Sequence, residues 1–183
     1  MYKKYRCGLY IGRFQPIHIG HESIIRKMLK ECNIVIIAIG SAQEHNTPRN
    51  PFNFYERKDL ITNIFYREII SGQLTIIPLK DRENPSNDAS WGDYVFEKVK
   101  WFTNEKPDVV YEGEETERNT WYDNLDVTII KVPRGDIPVS ATEIREGLCG
   151  NGIHSLSVNP MIPAAIRYRI KEMKEVIRNA KQN

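Results

Sequence analysis

Cysteine is scarce in this sequence: Cys7, Cys32 and Cys149 are odd in number, far apart and form no CxxC pair. That fits a reducing compartment better than a disulfide framework, with the thiols buried and inert. Long apolar runs are missing too. The first six residues are polar and basic, and the apolar stretch behind them is too short and too soon interrupted for a signal peptide or a membrane span. The expected address is therefore the cytoplasm, with no membrane as partner. Charge of one sign is also lacking. With 26 basic and 24 acidic residues spread along the chain, the net charge is +2, and no basic tail offers itself to nucleic acid. No internal repeat or low-complexity tract suggests a solenoid, a coiled coil or a flexible scaffold.

What is present is the composition of one soluble globular domain: 183 residues, 40% apolar and 27% charged, enough to bury a core without metals or disulfides. Cys7 to Ile11 and the run Ile34 to Ile39 (IVIIAI) read as strands buried on both faces of a parallel sheet. Between them, from near Gly20, a helix carries Ile24, Ile25, Met28 and Leu29 on one side and Glu22, Arg26, Lys27 and Lys30 on the other. The alternation continues with a helix over 54–70, a strand over 74–77, a helix over 91–102 and strands over 108–111 and 127–132. The pattern predicts an α/β fold, a Rossmann-like, doubly wound parallel sheet with helices on both faces. Residues 1–150 form the α/β domain. Residues 151–183 supply a linker and a C-terminal helix with Ile162, Ile166, Ile170, Met173 and Ile177 at helical spacing, packed on that domain as an appendage. In such a sheet ligands bind at the carboxyl ends of the strands, so the loops over 12–20, 41–51, 80–90 and 133–140 hold the interest.

The first of these loops reads Gly12-Arg13-Phe14-Gln15-Pro16-Ile17-His18-Ile19-Gly20-His21. Gly12 lets the backbone turn off the strand, Pro16 stiffens the loop, and Gly20 allows close approach at the helix start, where free amides and the helix dipole attract phosphate. His18 and His21, three apart at the head of a helix, can face one side and donate to phosphate oxygens. A zinc site is not expected, because the other histidines are His45 and His154 and no Cys or carboxylate stands at ligand spacing. A second feature, Ser140-Ala141-Thr142-Glu143-Ile144-Arg145, is locally a capping box. Capping leaves Arg145 unexplained, and an arginine there suits a polyphosphate.

Taken together, GRFQPIHIGH early and SATEIR late resemble the paired motifs of the HxGH nucleotidyltransferase superfamily. Arg13, then Gly40-Ser41-Ala42-Gln43 and Arg49-Asn50-Pro51-Phe52, and later IPLKD with Asn84 and Trp91, are similar to the archaeal-type nicotinamide-mononucleotide adenylyltransferases over about residues 8–150. Residues 114–121 (EETERNTW) match no block of that family, Ala141 replaces a common glycine, and His45 is one place off. The resemblance implies that Gly12, Arg13, Phe14, Gln15, His18, Gly20, His21 and Gly113 hold ATP, with Ser140, Thr142 and Arg145 on its phosphates from the other side. His18, His21, Arg13, Arg49 and Arg145 would carry catalysis. Ser41, Arg49, Asn84 and Trp91 would receive the mononucleotide, Trp91 stacking on the pyridinium ring and Asn84 bonding the carboxamide.

The expected partners are small molecules, ATP with Mg²⁺ and nicotinamide mononucleotide, with nicotinate mononucleotide as a further acceptor because no sequence feature excludes a carboxylate, and assembly into a homo-oligomer is allowed. No protein-held metal is expected. Other superfamily activities, such as those of pantetheine-phosphate adenylyltransferase or a cytidylyltransferase, share the HxGH loop, as do class I aminoacyl-tRNA synthetases, although no KMSKS follows. A non-catalytic nucleotide sensor would share most of the same residues.

Overall fold

A computed structural model describes residues 2–47, 49–82, 89–114, 121–133, 141–142 and 144. The elements run β1 (Tyr5–Gly12), α1 (Ile19–Glu31), β2 (Cys32–Ile39), α2 (Phe54–Ile64), α3 (Tyr66–Ile70), β3 (Leu74–Pro78), α4 (Ala89–Thr103), β4 (Val109–Gly113) and β5 (Thr128–Val132). All strand pairings are parallel, in the order β3-β2-β1-β4-β5. The doubly wound α/β sheet expected from the alternation is the one found. The C-terminal segment 151–183 lies outside the described residues.

The runs that read as strands are buried because helices cover both faces. On one face Ile24, Ile25 and Met28 of α1 and Leu60 and Ile61 of α2 pack on Val35, Ile37, Ile39 and Tyr111. On the other, Val95 and Val99 of α4 pack with Trp121 and Tyr122 on Leu9, Ile36, Ala38 and Val110. Strand alternation divides the side chains between these two cores. Helix α1 adds partly exposed i,i+4 pairs, Glu22 with Arg26 at 2.7 Å and Lys27 with Glu31 at 2.6 Å, worth a few tenths of a kcal/mol each. Among the described residues no helix is long and apolar enough to cross a membrane.

One boundary differs from expectation. The helix read over 54–70 is two helices, broken at Phe65, which leaves helical geometry at φ −115°, ψ 33°. The break places Phe65 fully in the core while Tyr66 and Ile70 stay exposed. The start of α2 is fixed by a reciprocal cap: Asn53 Oδ1 accepts from the Glu56 N–H at 3.0 Å, and Glu56 Oε2 accepts from the Asn53 N–H at 2.8 Å.

Candidate active site

The loop after β1 is shaped by what its glycines leave out. A Cβ on Gly12 would stand 3.0 Å from the Phe14 ring, so the absent side chain is what lets that ring fold back. Phe14 takes φ 50°, a left-handed backbone rare outside glycine. Its buried ring meets Tyr10 edge-on at 5.5 Å and lies 4.8 Å from the His21 ring. Phe14 therefore supports the site from beneath. Gln15, expected among the residues on the triphosphate, is 1% exposed. Its amide pairs in both directions with the Phe52 backbone, at 2.8 and 2.9 Å. The side chain braces one loop against another.

His18 caps α1. Its carbonyl accepts from the Glu22 N–H at 2.9 Å, and its own N–H donates to His21 Nδ1 at 3.3 Å. An accepting Nδ1 leaves the His21 proton on Nε2, as a donor for a ligand. The two imidazoles stack with centroids 3.7 Å apart and planes at 31°. Gly20 makes room for this, since a Cβ there would come within 3.1 Å of the His18 ring.

Both rings line a cleft of about 400 Å³ with Gly12, Gly20, Glu112, Gly113, Trp91 and Trp121. It opens between β1 and β4. The chain works outward from β1 to β3 in one direction and returns through β4 and β5 in the other, and an open parallel sheet binds ligands at that reversal.

Arg57 escaped the sequence reading. Its side chain is fully buried on α2, and it donates to the carbonyls of Arg13 at 2.9 Å, Gly40 at 2.8 Å, Ser41 at 3.1 Å and Asn53 at 3.2 Å. Burial draws its pKa down to about 10, with Asp81 opposing and Arg13 adding to the shift. Ser41, like Phe14, holds a left-handed backbone, at φ 47°. One guanidinium thus ties together the ends of β1 and β2 beside both strained residues. Arg57, Leu60 and Ile61 share the buried face of α2.

Arg13 and Arg49 lie near enough to each other to interact. Arg13 is held below the ordinary arginine value by partial burial, then by the like charge of Arg49, with Asp81 opposing. Gln43 and Asp81 clasp the loops after β2 and β3 by two 3.1 Å hydrogen bonds, one from Gln43 Nε2 to Asp81 Oδ2 and one from the Asp81 N–H to Gln43 Oε1. Arg13, Ser41 and Arg49 are not among the residues lining the cleft itself.

On the far wall, Trp91 stacks at 5.2 Å on Tyr94, whose hydroxyl donates to the Lys80 carbonyl at 3.1 Å. Gly92 abuts Trp121, because a Cβ there would stand 2.1 Å from the Trp121 carbonyl oxygen. Two tryptophans so line one wall, the second from the end of the stretch that matched no family block. Glu112, also missed, accepts from the Tyr122 hydroxyl at 2.9 Å. Thr142 is exposed, and Ile144 joins the core cluster that holds Tyr10, Phe14 and Ile17. Asn84, Ser140 and Arg145 lie outside the described residues.

A cytidylyltransferase-like family model matches residues 9–171. The chain is 32% identical over 172 residues to the nicotinamide-nucleotide adenylyltransferase of Thermococcus onnurineus (strain NA1), covering 93% of this chain and 85% of that one. With the enzyme of the same name from Thermococcus kodakarensis it shares 33% over 173 residues, again 93% and 85%. Among solved structures, a bifunctional NMN adenylyltransferase/ADP ribose pyrophosphatase from Francisella tularensis, complexed with AMP and a manganese ion, superposes with a TM-score of 0.72 at 24% identity. The match covers 94% of this chain and 52% of that longer one, and it bears on the fold alone.

Proposed function

The chain belongs to the cytidylyltransferase-like family and, within it, to the archaeal type of nicotinamide-nucleotide adenylyltransferase; from that premise we propose that it converts ATP and nicotinamide mononucleotide to NAD⁺ and pyrophosphate in the cleft between β1 and β4. The observation that carries this reading is the stacked pair His18 and His21 at the amino end of α1, in a glycine-lined cleft at the reversal of the sheet. Helix amides and imidazole donors there suit a triphosphate.

An oxygen of the mononucleotide phosphate attacks the α-phosphorus of ATP. A new P–O bond forms, the bond from the α-phosphorus to the α,β-bridging oxygen breaks, and its electron pair leaves with pyrophosphate. The second pKa of a phosphate monoester is about 6, so the attacking group is already mostly a dianion at neutral pH and no general base is required. The protein's part is alignment and charge. In this reading His18 and His21 donate to the triphosphate, while Arg13 and Arg49 meet the reacting phosphates. Arg145, Ser140 and Thr142 close from the later motif, Ser41 and Asn84 attend the mononucleotide, and Trp91 stacks on its ring.

Among the described residues no group of three or more His, Cys, Asp or Glu could hold a metal. The cleft is lined by the imidazoles of His18 and His21, whose N–H groups suit phosphate oxygens. Mg²⁺ would therefore arrive on the ATP phosphates, where it neutralises charge that builds toward the leaving pyrophosphate. A cytoplasmic location is part of this reading, in keeping with these substrates and with the buried free thiols Cys7 and Cys32.

The direct test is incubation of the full chain with ATP, Mg²⁺ and nicotinamide mononucleotide, quantifying NAD⁺ and pyrophosphate. Parallel reactions contain phosphopantetheine as acceptor, or CTP in place of ATP. Product with either alternative and none with ATP and the mononucleotide would move the activity elsewhere in the family.

A further inference from the structure

The mechanism above has no use for Glu112, although this carboxylate is 6% exposed and lines the cleft. It stands one residue before the end of β4. Alternation sends residues 110 and 112 to the same face, and Val110 packs there with Trp121 and Tyr122. Trp91 packs against that same cluster. Glu112 therefore shares the wall of the two tryptophans, while the imidazoles belong to the opposite, α1 side. Its Oε2 is held by the Tyr122 hydroxyl at 2.9 Å. Tyr122 follows Trp121, whose carbonyl is pressed against Gly92, next to Trp91. Both the carboxylate and the aromatic wall are thus fixed relative to each other.

A carboxylate offers acceptors and negative charge but no donor. It opposes phosphate and so does not serve the triphosphate end of the cleft. Beside an aromatic wall it does two things to a bound base: it favours a positively charged ring, and it opposes a second carboxylate. Like charges brought together without solvent between them are a strong device for refusing a near-identical ligand.

We propose that Glu112 is the residue that selects the acceptor, admitting a mononucleotide whose pyridinium ring carries a neutral carboxamide and refusing one whose ring carries a carboxylate. This rests on the adenylyltransferase reading above. The test is kcat/KM of the full chain for nicotinamide mononucleotide and for nicotinate mononucleotide, at saturating ATP and Mg²⁺, in the wild type and in Glu112→Gln. Glutamine keeps the shape and still accepts from Tyr122. The wild type prefers the amide by at least about tenfold. In Glu112→Gln the ratio falls to within about threefold of unity, chiefly because nicotinate mononucleotide improves. A variant that slows both substrates alike, with the ratio intact, makes Glu112 a brace for Tyr122 and overturns the proposal. Glu112→Ser provides the same comparison if the glutamine variant does not fold. Wild-type enzyme that uses both mononucleotides equally also overturns it. Product from neither mononucleotide is a different failure, that of the adenylyltransferase reading itself.

Discussion

Arg57 reaches the carbonyl oxygen of Arg13 through Nη1 at 2.9 Å, so a fully buried arginine fixes the backbone of an exposed one. The same guanidinium holds the carbonyls of Gly40 and Ser41. A non-glycine residue in the left-handed region costs on the order of 1–3 kcal/mol and persists only where its surroundings hold it, and both Phe14 and Ser41 are of this kind.

Replacing Arg57 with methionine leaves several buried carbonyls without donors. Hydrogen bonds from charged groups contribute roughly 1.5–3 kcal/mol each and do not add fully, so a loss of about 3 kcal/mol or more is expected in urea unfolding. A rise in KM for ATP should accompany it, because the loop after β1 loses its support. A loss below about 1 kcal/mol would mean that the carbonyls find water instead.

His21→Ala should lower kcat by roughly a hundredfold or more while the Kd for ATP changes only a few-fold, since the lost interaction is made mainly in the transition state. Single-turnover rates and equilibrium ATP binding separate the two effects. Unchanged kcat would remove His21 from the reacting centre.

Gly92→Ala places a methyl group where the Trp121 carbonyl already lies, 2.1 Å away. Backbone must shift to admit it, so the variant should lose about 2 kcal/mol of stability, within the range for a strained small-to-large change. Tryptophan fluorescence should shift, and KM for the mononucleotide should rise more than KM for ATP. Equal changes in the two KM values would contradict the assignment of that wall to the acceptor.

Alkaline pH should weaken the fold through two thiols. Burial raises Cys7 to about 12 and Cys32 to about 11, from the usual 9.0. Above pH 9 the unfolded chain releases these protons and the folded chain keeps them, so the unfolded state binds fewer and stability falls with rising pH. The contribution is whole below pH 9 and is lost as pH climbs through 11 to 12. Each thiol adds at most about 1.4 kcal/mol per pH unit to that slope. Urea midpoints measured between pH 8 and 10.5 should show a shallower decline in the Cys7→Ala, Cys32→Ala double variant. An identical slope would assign the alkaline loss to other groups.

The sheet was legible because strands buried on both faces need unbroken apolar runs, and IVIIAI is one. The imidazole pair was legible from the motif around it, and the two rings meet because residues 18 and 21 stand at the N-cap and N3 positions of α1. The break at Phe65 was not, since the apolar period continues through it and only tertiary packing asks that ring to turn inward. Arg57 and Glu112 were hidden by their chemistry: a charged side chain reads as solvent-facing until its buried partners are known. Trp121 was hidden differently, in a stretch without a familiar pattern, and its neighbour Gly92 reveals it only through contact in space. Gln15 stands inside the GRFQPIHIGH loop, and the pairing of its amide with the Phe52 backbone joins two loops that are far apart in sequence.

In the proposed reading one cleft has two walls, with the imidazoles that would hold ATP on the α1 side and the tryptophans that would meet the acceptor on the α4 side. Substitutions that accumulate on the second can redirect the enzyme to a new partner molecule while the first stays untouched, so a lineage carrying this architecture can change what it adenylylates without relearning how to handle ATP.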